Sequence, residues 1–504
     1  MIVRFAASLL LLCASAAQAD AASEAAASAA LDAVAGNAAR LRLVLQAMPK
    51  GADLHNHLGG TPYAEDYLQV AAAKGMCADS AGLRLVSPPC PAERSVKTLI
   101  ESDPFAFARL VDSLSTRGVQ QGVGADGTSG HDQFFASFDK FLPAYAADMP
   151  RWLAIARRDA ARDRVGYVEL MHDPLPLVEY TRAGGAGPVD DIAGFYAREA
   201  PALDAMVARA SAEMDADEAE AGKTLACDTP TAEPACGTAV RYLAFAWRGV
   251  SPAIAYRSLI GAFALAAHDP RFVGVNIVMP EDDPVALRDY DLHMAMFRFL
   301  EAKYPQVKVS MHAGELTLGL VPPADLRDHI AKAVASGAKR IGHGTDIALE
   351  DEAPATLARM ARDGIAVEVN LTSNAVILGV KGGAHPIRLY RAKGVPVVLS
   401  TDDQGVLRSD MTNEYQRAVA EQGLRYADLK AIARAGLEYA FVPGASLWRE
   451  RRLGLPVAAC SPLSGPACAA FLKGSEKARL QAALEGDLER FEHAAPALAG
   501  RTAS

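Results

Sequence analysis

The feature that most constrains this chain is the regular alternation of short apolar runs with longer amphipathic stretches. Eight runs read as strands: DLHNHL (53–58), VGYVELM (165–171), AVRYLAFAW (239–247), FVGVNIVM (272–279), VKVSMHAGE (307–315), KRIGHGTD (339–346), IAVEVNLTSN (365–374) and VPVVLSTDD (395–403). Their β-branched and apolar content is a strand signal, and the chain between them leaves room for helices. Eight strand–helix units predict an α/β fold, a (β/α)8 TIM barrel.

Four stretches exceed a minimal barrel. Residues 59–164 form an enlarged excursion after strand one, and the acidic, turn-rich residues 211–238 read as a surface loop or helix extension. Ahead of the barrel, residues 20–47 are Ala-rich, with Leu31, Val34, Ala38, Leu41 and Leu45 on one helical face. That stripe has two readings: it packs on its own barrel, or it forms a homodimer contact with the same helix of a second copy. The barrel then spans 48–455, and 456–504 form a helical C-terminal appendage.

The first 19 residues have the pattern of a signal peptide. Arg4 precedes a short apolar core, and Ala17-Gln18-Ala19 is a small-x-small cleavage site. The apolar run is too short to span a bilayer, so the expectation is an exported protein, periplasmic or secreted, with no membrane attachment after cleavage near Ala19. Six further cysteines fall into sequential pairs, 77–90, 227–236 and 460–468, which read as disulfides of an oxidising compartment. The net charge of −9, with no Lys/Arg run interleaved with aromatics, excludes a surface built to track nucleic acid.

In a barrel of this kind the chemistry sits at the C-terminal ends of the strands. His55 and His57 end strand one, and residues i and i+2 face the same side, with Asn56 turned away. His312 ends strand five with Glu315 three residues on, His343 ends strand six, and Asp402 and Asp403 end strand eight. Three imidazoles and a carboxylate suit a borderline ion, one Zn²⁺ per chain, which lowers the pKa of its water, with a protonated Glu nearby as general acid. Each piece alone has a plainer reading: His343 as a turn residue, the paired aspartates as a solvated turn, Glu315 as a helix N-terminal charge. Four signals at four strand ends, in barrel order, favour a site. Neither an HExxH helix nor an HxE–PCxxC pattern is present.

Together and in this order, MPKGADLHNHLGG, HAGE, RIGHGTDI and STDD resemble the adenosine deaminase family of metal-dependent amidohydrolases, from about Met48 to about residue 440. HDQFFASFDKFLP (131–143) is similar to the family segment that lines the nucleoside pocket, which singles out Phe134 and Phe138. The signal peptide, cysteines and excursion are similar to the secreted branch, the adenosine-deaminase-related growth factors and their exported bacterial relatives. The resemblance implies His55, His57, His312 and Asp402 as zinc ligands. It implies Glu315 as the acid that protonates purine N1, His343 as the residue that holds and helps deprotonate the attacking water, and Asp403 as the partner of N7. Attack at C6 and loss of ammonia would turn adenosine or 2′-deoxyadenosine into inosine or 2′-deoxyinosine, the small-molecule partner being a purine nucleoside.

For both aspartates to serve, the chain must turn between them. Three departures stand out. Gly59 occupies the place where relatives often carry a ribose-facing acid, Met279-Pro280 replaces a purine-facing glycine, and Gln404 replaces the more usual proline. The first, by removing a ribose-facing carboxylate, keeps open adenine, a 5′-modified adenosine or an N6-substituted purine as substrate, and the second bears on how the base is recognised. A non-catalytic exported signalling protein on this fold would be expected to have lost a ligand or the Glu, and all are present.

Overall fold

In the computed structural model, which describes residues 21–117, 119 and 128–500, eight strands pair in sequence order, all parallel: β1 Gly51–His57, β2 Val165–Met171, β3 Ala239–Trp247, β4 Phe272–Val278, β5 Lys308–Ala313, β6 Arg340–His343, β7 Ala366–Val369 and β8 Val397–Leu399. These are the eight expected runs, the last four ending earlier because GE, GTD and STDD leave the sheet as loops and LTSN opens the helix Leu371–Ile377. The expected signal peptide, residues 1–19, lies outside the described residues.

The sheet closes into a barrel through an isolated parallel bridge between Asn56 and Asp402. The His57 amide donates to the Asp402 carbonyl (3.0 Å), and the Asp402 amide donates to the His55 carbonyl (2.8 Å). The seam is therefore made from the backbone of predicted site residues. Helices cover the outside, so the strands are buried on both faces and carry the nearly continuous apolar runs seen in the sequence. The barrel interior also holds charge. Arg340 donates to Glu169 (2.6 Å) and to Glu368, and none of the three side chains is exposed to solvent.

The excursion after β1 folds as helices, chiefly Ala64–Ala73, Pro104–Ser113, Gly130–Tyr145 and Met149–Arg162, around a two-strand ladder of Cys77–Ala78 with Leu85–Val86. The acidic stretch 211–238 continues the helix Leu203–Thr224 and then turns. Disulfides join Cys77 to Cys90, Cys227 to Cys236 and Cys460 to Cys468.

At the N-terminus, a helix over 21–34 is followed by Ala38–Ala47, restarted at Asn37, whose side chain accepts from the Arg40 amide. Of the expected stripe, Leu31, Val34, Leu41 and Leu45 are buried within the chain, with the second helix packed against the helices Met411–Ala420 and Glu476–Gly500, while Ala38, in the first turn after the restart, is exposed. Arg42 to Asp410 and Lys430 to Glu24 and Glu492 fix these elements by charge. The C-terminal helix in turn sends Leu484 and Leu488 into a cluster with Ala52, Leu54, Tyr167 and Val398 of the barrel.

Candidate active site

β1 presents His55 and His57 toward the barrel mouth. Asn56 turns away, donating to Asp53 (3.1 Å) and Thr401 (2.9 Å) while Thr61 donates to it. Closure of the sheet at Asp402 sets that carboxylate between the imidazoles: Oδ1 lies 3.3 Å from His55 Nε2 and 3.4 Å from His57 Nε2. His312, from the end of β5, brings its Nε2 to 3.2 Å from His57 Nε2. One ligand atom from each of His55, His57, His312 and Asp402 falls within 4.8 Å of all the others.

This donor set fits a cation. Asn276 Oδ1 accepts from the backbone amides of Ile277 and His312, so His312 Nδ1 donates to it as well (2.9 Å), which leaves the Nε2 lone pair facing inward. Likewise His55 Nδ1 faces Glu368 (2.7 Å), so its buried Nε2 faces Asp402 and the centre of the cluster. Burial works against charge on His55, yet Asp402 and Glu368 on either side raise it to about 10. Burial pulls His57 down to about 4 and His312 well below its usual range. The group thus calls for positive charge at its centre. Imidazole and carboxylate donors, each backed by an outer hydrogen bond, are what a borderline divalent ion takes.

Glu315 follows β5 and is buried, its Oε1 3.6 Å from His343 Nδ1. Burial first, then the charge of Asp402, raises its carboxyl to about 8 against the pull of Arg248. It is held from behind by Glu281, which accepts from the Glu315 amide (2.9 Å), the Gly314 amide (3.2 Å) and His329 (2.7 Å). Although buried, Glu281 is kept at about 2 by Arg248 and His329. Two neighbouring carboxyl groups are thereby set to opposite states at neutral pH, the pattern by which environment divides acid and base roles.

His343 Nδ1 accepts from the Asn374 amide (3.0 Å), whose oxygen faces His385 (3.0 Å), and Nε2 points to Asp402 Oδ2 at 4.0 Å. The required turn between the aspartates is present: Asp402 has φ +59°, and His343 (+64°) and Met279 (+86°) share this left-handed conformation. Such strain at three strand ends is the kind that clusters at functional sites. Asp403 swings toward β1, where only glycine leaves room, since a Cβ on Gly60 would lie 1.7 Å from Asp403 Oδ1. That oxygen is buried without a partner, and burial with the Asp402 charge raises the Asp403 carboxyl far above its usual range.

These groups form the floor of a cavity of about 440 Å³, within the usual range for small-molecule sites. Phe134, Phe138 and Gly59 line it as expected, with Met171, Phe245 and Met279 opposite. A Cβ on Gly59 would meet only the Tyr145 ring, at 3.6 Å. Nine of the ten predicted site residues therefore line one pocket, and the tenth, the fully buried His55, lies beneath its floor in the cluster with His57, His312 and Asp402.

Sequence reasoning missed the supporting residues Asn276, Glu281, Glu368 and Asn374. A lone acid or amide inside an apolar strand, as in IAVEVNL and FVGVNIVM, was the available signal. Three further histidines have supporting roles: His329 supports Glu281, His172 bonds the Tyr145 hydroxyl (3.1 Å), and His131 ties the Phe134 helix to Asp282 (3.1 Å). Gln404 acquires a reason as well: its amide donates to the buried Asp159 (3.1 Å).

The family model described as adenosine deaminase matches residues 133–449. The adenosine deaminase of Aliivibrio fischeri is 35% identical over 145 residues, 29% of this chain and 40% of that protein. The aminodeoxyfutalosine deaminase of Streptomyces coelicolor is 38% identical over 106 residues, 21% of this chain and 27% of that protein. The matched segment thus spans two-fifths or less of these relatives' own length. Among solved structures, the Arabidopsis N6-mAMP deaminase superposes with TM-score 0.51 at 21% identity, covering 79% of this chain and 95% of that one. A zinc-bound amidohydrolase from Burkholderia ambifaria gives 0.51 at 18% identity, covering 90% and 95%. Identities this low speak for the fold alone, but with more than half of its residues matched by the family model, the chain belongs to the adenosine deaminase family.

Proposed function

We propose that the protein catalyses metal-dependent hydrolytic deamination of a 6-aminopurine nucleoside, adenosine or 2′-deoxyadenosine, giving the 6-oxo product and ammonia. The observation that carries this reading is the meeting, on the floor of one pocket, of a three-histidine, one-aspartate cluster with the buried Glu315 and the unpartnered Asp403 oxygen. His55, His57, His312 and Asp402 would hold one divalent ion, for which we assign zinc from the nitrogen-rich donor set. Held there, the ion supplies Lewis-acid activation of water.

The chain's own groups do the rest. Glu315, carrying its proton near neutral pH, donates it to purine N1, which makes C6 electrophilic. His343, with Nδ1 occupied by Asn374, directs Nε2 toward Asp402 Oδ2, so an oxygen nucleophile between them is oriented by both. The Asp403 carboxyl, kept protonated by burial, donates to N7. Phe134 and Phe138 bound the base and exclude water.

Gly59 and the Met279-Pro280 pair support a second reading within the same chemistry, in which the preferred substrate is adenine, a 5′-modified adenosine or an N6-substituted purine. The three disulfides support export to an oxidising compartment.

Ultraviolet monitoring of zinc-loaded protein with adenosine, 2′-deoxyadenosine and adenine tests the reading. The adenine-type absorbance should fall, chelation should stop it, and Glu315→Gln should slow it by about 10²–10⁴-fold, the usual contribution of a general acid. No turnover of any 6-aminopurine by zinc-loaded protein would overturn it.

A further inference from the structure

We propose that the pocket selects uncharged 6-aminopurine nucleosides whose 5′ position carries an apolar group in place of a hydroxyl or phosphate. The inference rests on the deaminase reading above, because that reading orients the base. With C6, N1 and N7 facing the polar floor, N9 and its sugar lie at the opposite edge of the purine and point to the mouth.

Among the described residues, the mouth has almost nothing polar to offer. Beyond the floor residues, the lining is aromatic and aliphatic except for the Asp139 carboxylate and the Tyr145 hydroxyl, and the hydroxyl is already engaged with His172. Gly59 supplies no side chain, and its carbonyl accepts from Tyr67 (2.6 Å). No lysine or arginine among the described residues lines the cavity. Arg248, the cation that faces Glu281 behind the floor, has no solvent-exposed side-chain surface and donates to the Met279 and His312 carbonyls. A 5′-phosphate would therefore meet one carboxylate and no cation, and the desolvation of its charge would go uncompensated.

The rim is apolar to an unusual degree. Leu142 and Met279 are 45% and 38% exposed while lining the cavity. Whatever group extends from the sugar past the mouth therefore meets apolar side chains there. The floor that faces N6 is buried and polar, so among the modified substrates named above the open apolar rim favours the one extended at the 5′ end.

The test compares kcat/KM of zinc-loaded wild-type protein for adenosine, AMP and a series of 5′-deoxy-5′-alkylthioadenosines bearing methyl, propyl and butyl groups. Each methylene that becomes buried should raise kcat/KM by about fourfold, the equivalent of ~0.8 kcal/mol. AMP should fall at least tenfold below adenosine. In Leu142→Lys, the half-exposed position tolerates the change, the alkyl series should flatten and AMP should gain about tenfold. Turnover of adenosine equal to or better than that of every alkylthio analogue overturns the inference and leaves the deaminase reading standing, as does AMP matching adenosine. Failure to turn over any member of the set overturns the deaminase reading itself.

Discussion

The outer hydrogen bond on His55 offers a perturbation whose size follows from its contacts. Glu368 is fully buried; one oxygen faces His55 Nδ1 (2.7 Å), and the other accepts from Ser310 (2.9 Å) and from Arg340. Glu368→Gln keeps the shape but replaces one acceptor with a donor. If the amide oxygen stays on Arg340, its NH2 faces His55 Nδ1 and drives the imidazole proton to Nε2, which removes an inward lone pair from the cluster. If the oxygen stays on His55, the NH2 faces the guanidinium. Either way a charge-assisted bond of ~1.5–3 kcal/mol is lost. Loss of a buried ionic partner costs ~3–5 kcal/mol, reduced here because Arg340 keeps Glu169 (2.6 Å). Outer-bond losses of this kind weaken metal binding by about 10–100-fold.

The expected result is a zinc affinity lowered by about that factor in a competition titration against a chromophoric chelator, with metal-free protein destabilised by ~2–4 kcal/mol. Glu169→Gln is the control, because it injures the same guanidinium without touching His55. It should cost comparable stability and leave zinc affinity within about threefold of wild type. Zinc binding unchanged in Glu368→Gln, or weakened equally in Glu169→Gln, would refute the assignment of Glu368 as the residue that orients His55.

Two further outcomes are expected. Asp159, raised to about 7 by burial despite Arg162, binds its proton more tightly folded than unfolded, so it lowers stability as pH rises from its ordinary 3.8 to about 7. Asp159→Asn, which retains an oxygen for Gln404, should therefore gain on wild type across that window by up to about 4 kcal/mol; a pH-independent difference in urea unfolding would refute this. Removal of residues 20–47 takes away Leu31, Val34, Leu41 and Leu45, all fully buried and each contributing roughly 1.5–3 kcal/mol. The truncated protein should show a much lower melting temperature or fail to fold, whereas unchanged melting with altered size alone would favour the intermolecular role for this stripe.

The parts of the structure that the sequence disclosed share a physical cause. Parallel strands covered on both faces must be apolar along their length, so all eight were readable as runs. A polar residue closing such a run stands out, which exposed His55, His57, His312, His343 and the two aspartates. What stayed hidden depends on partners from distant strands. Glu169, Arg340 and Glu368 each look like a lone charge misplaced in a strand, and only barrel closure shows that they meet. Met171 and Phe245 read as core yet line the pocket, because nothing local tells which residues near a strand end face a cavity. The hidden charges also bear on the site itself. Arg340 is shared between Glu169 and Glu368, while Glu368 and Asp402 flank His55, so the carboxylates beside that imidazole exceed what the guanidinium neutralises. Buried charge is retained where it is matched, and the unmatched negative charge lies where the inward imidazole nitrogens converge. A cation at that point satisfies both, so the polar strand residues that look like folding liabilities are intelligible as the support of a metal centre.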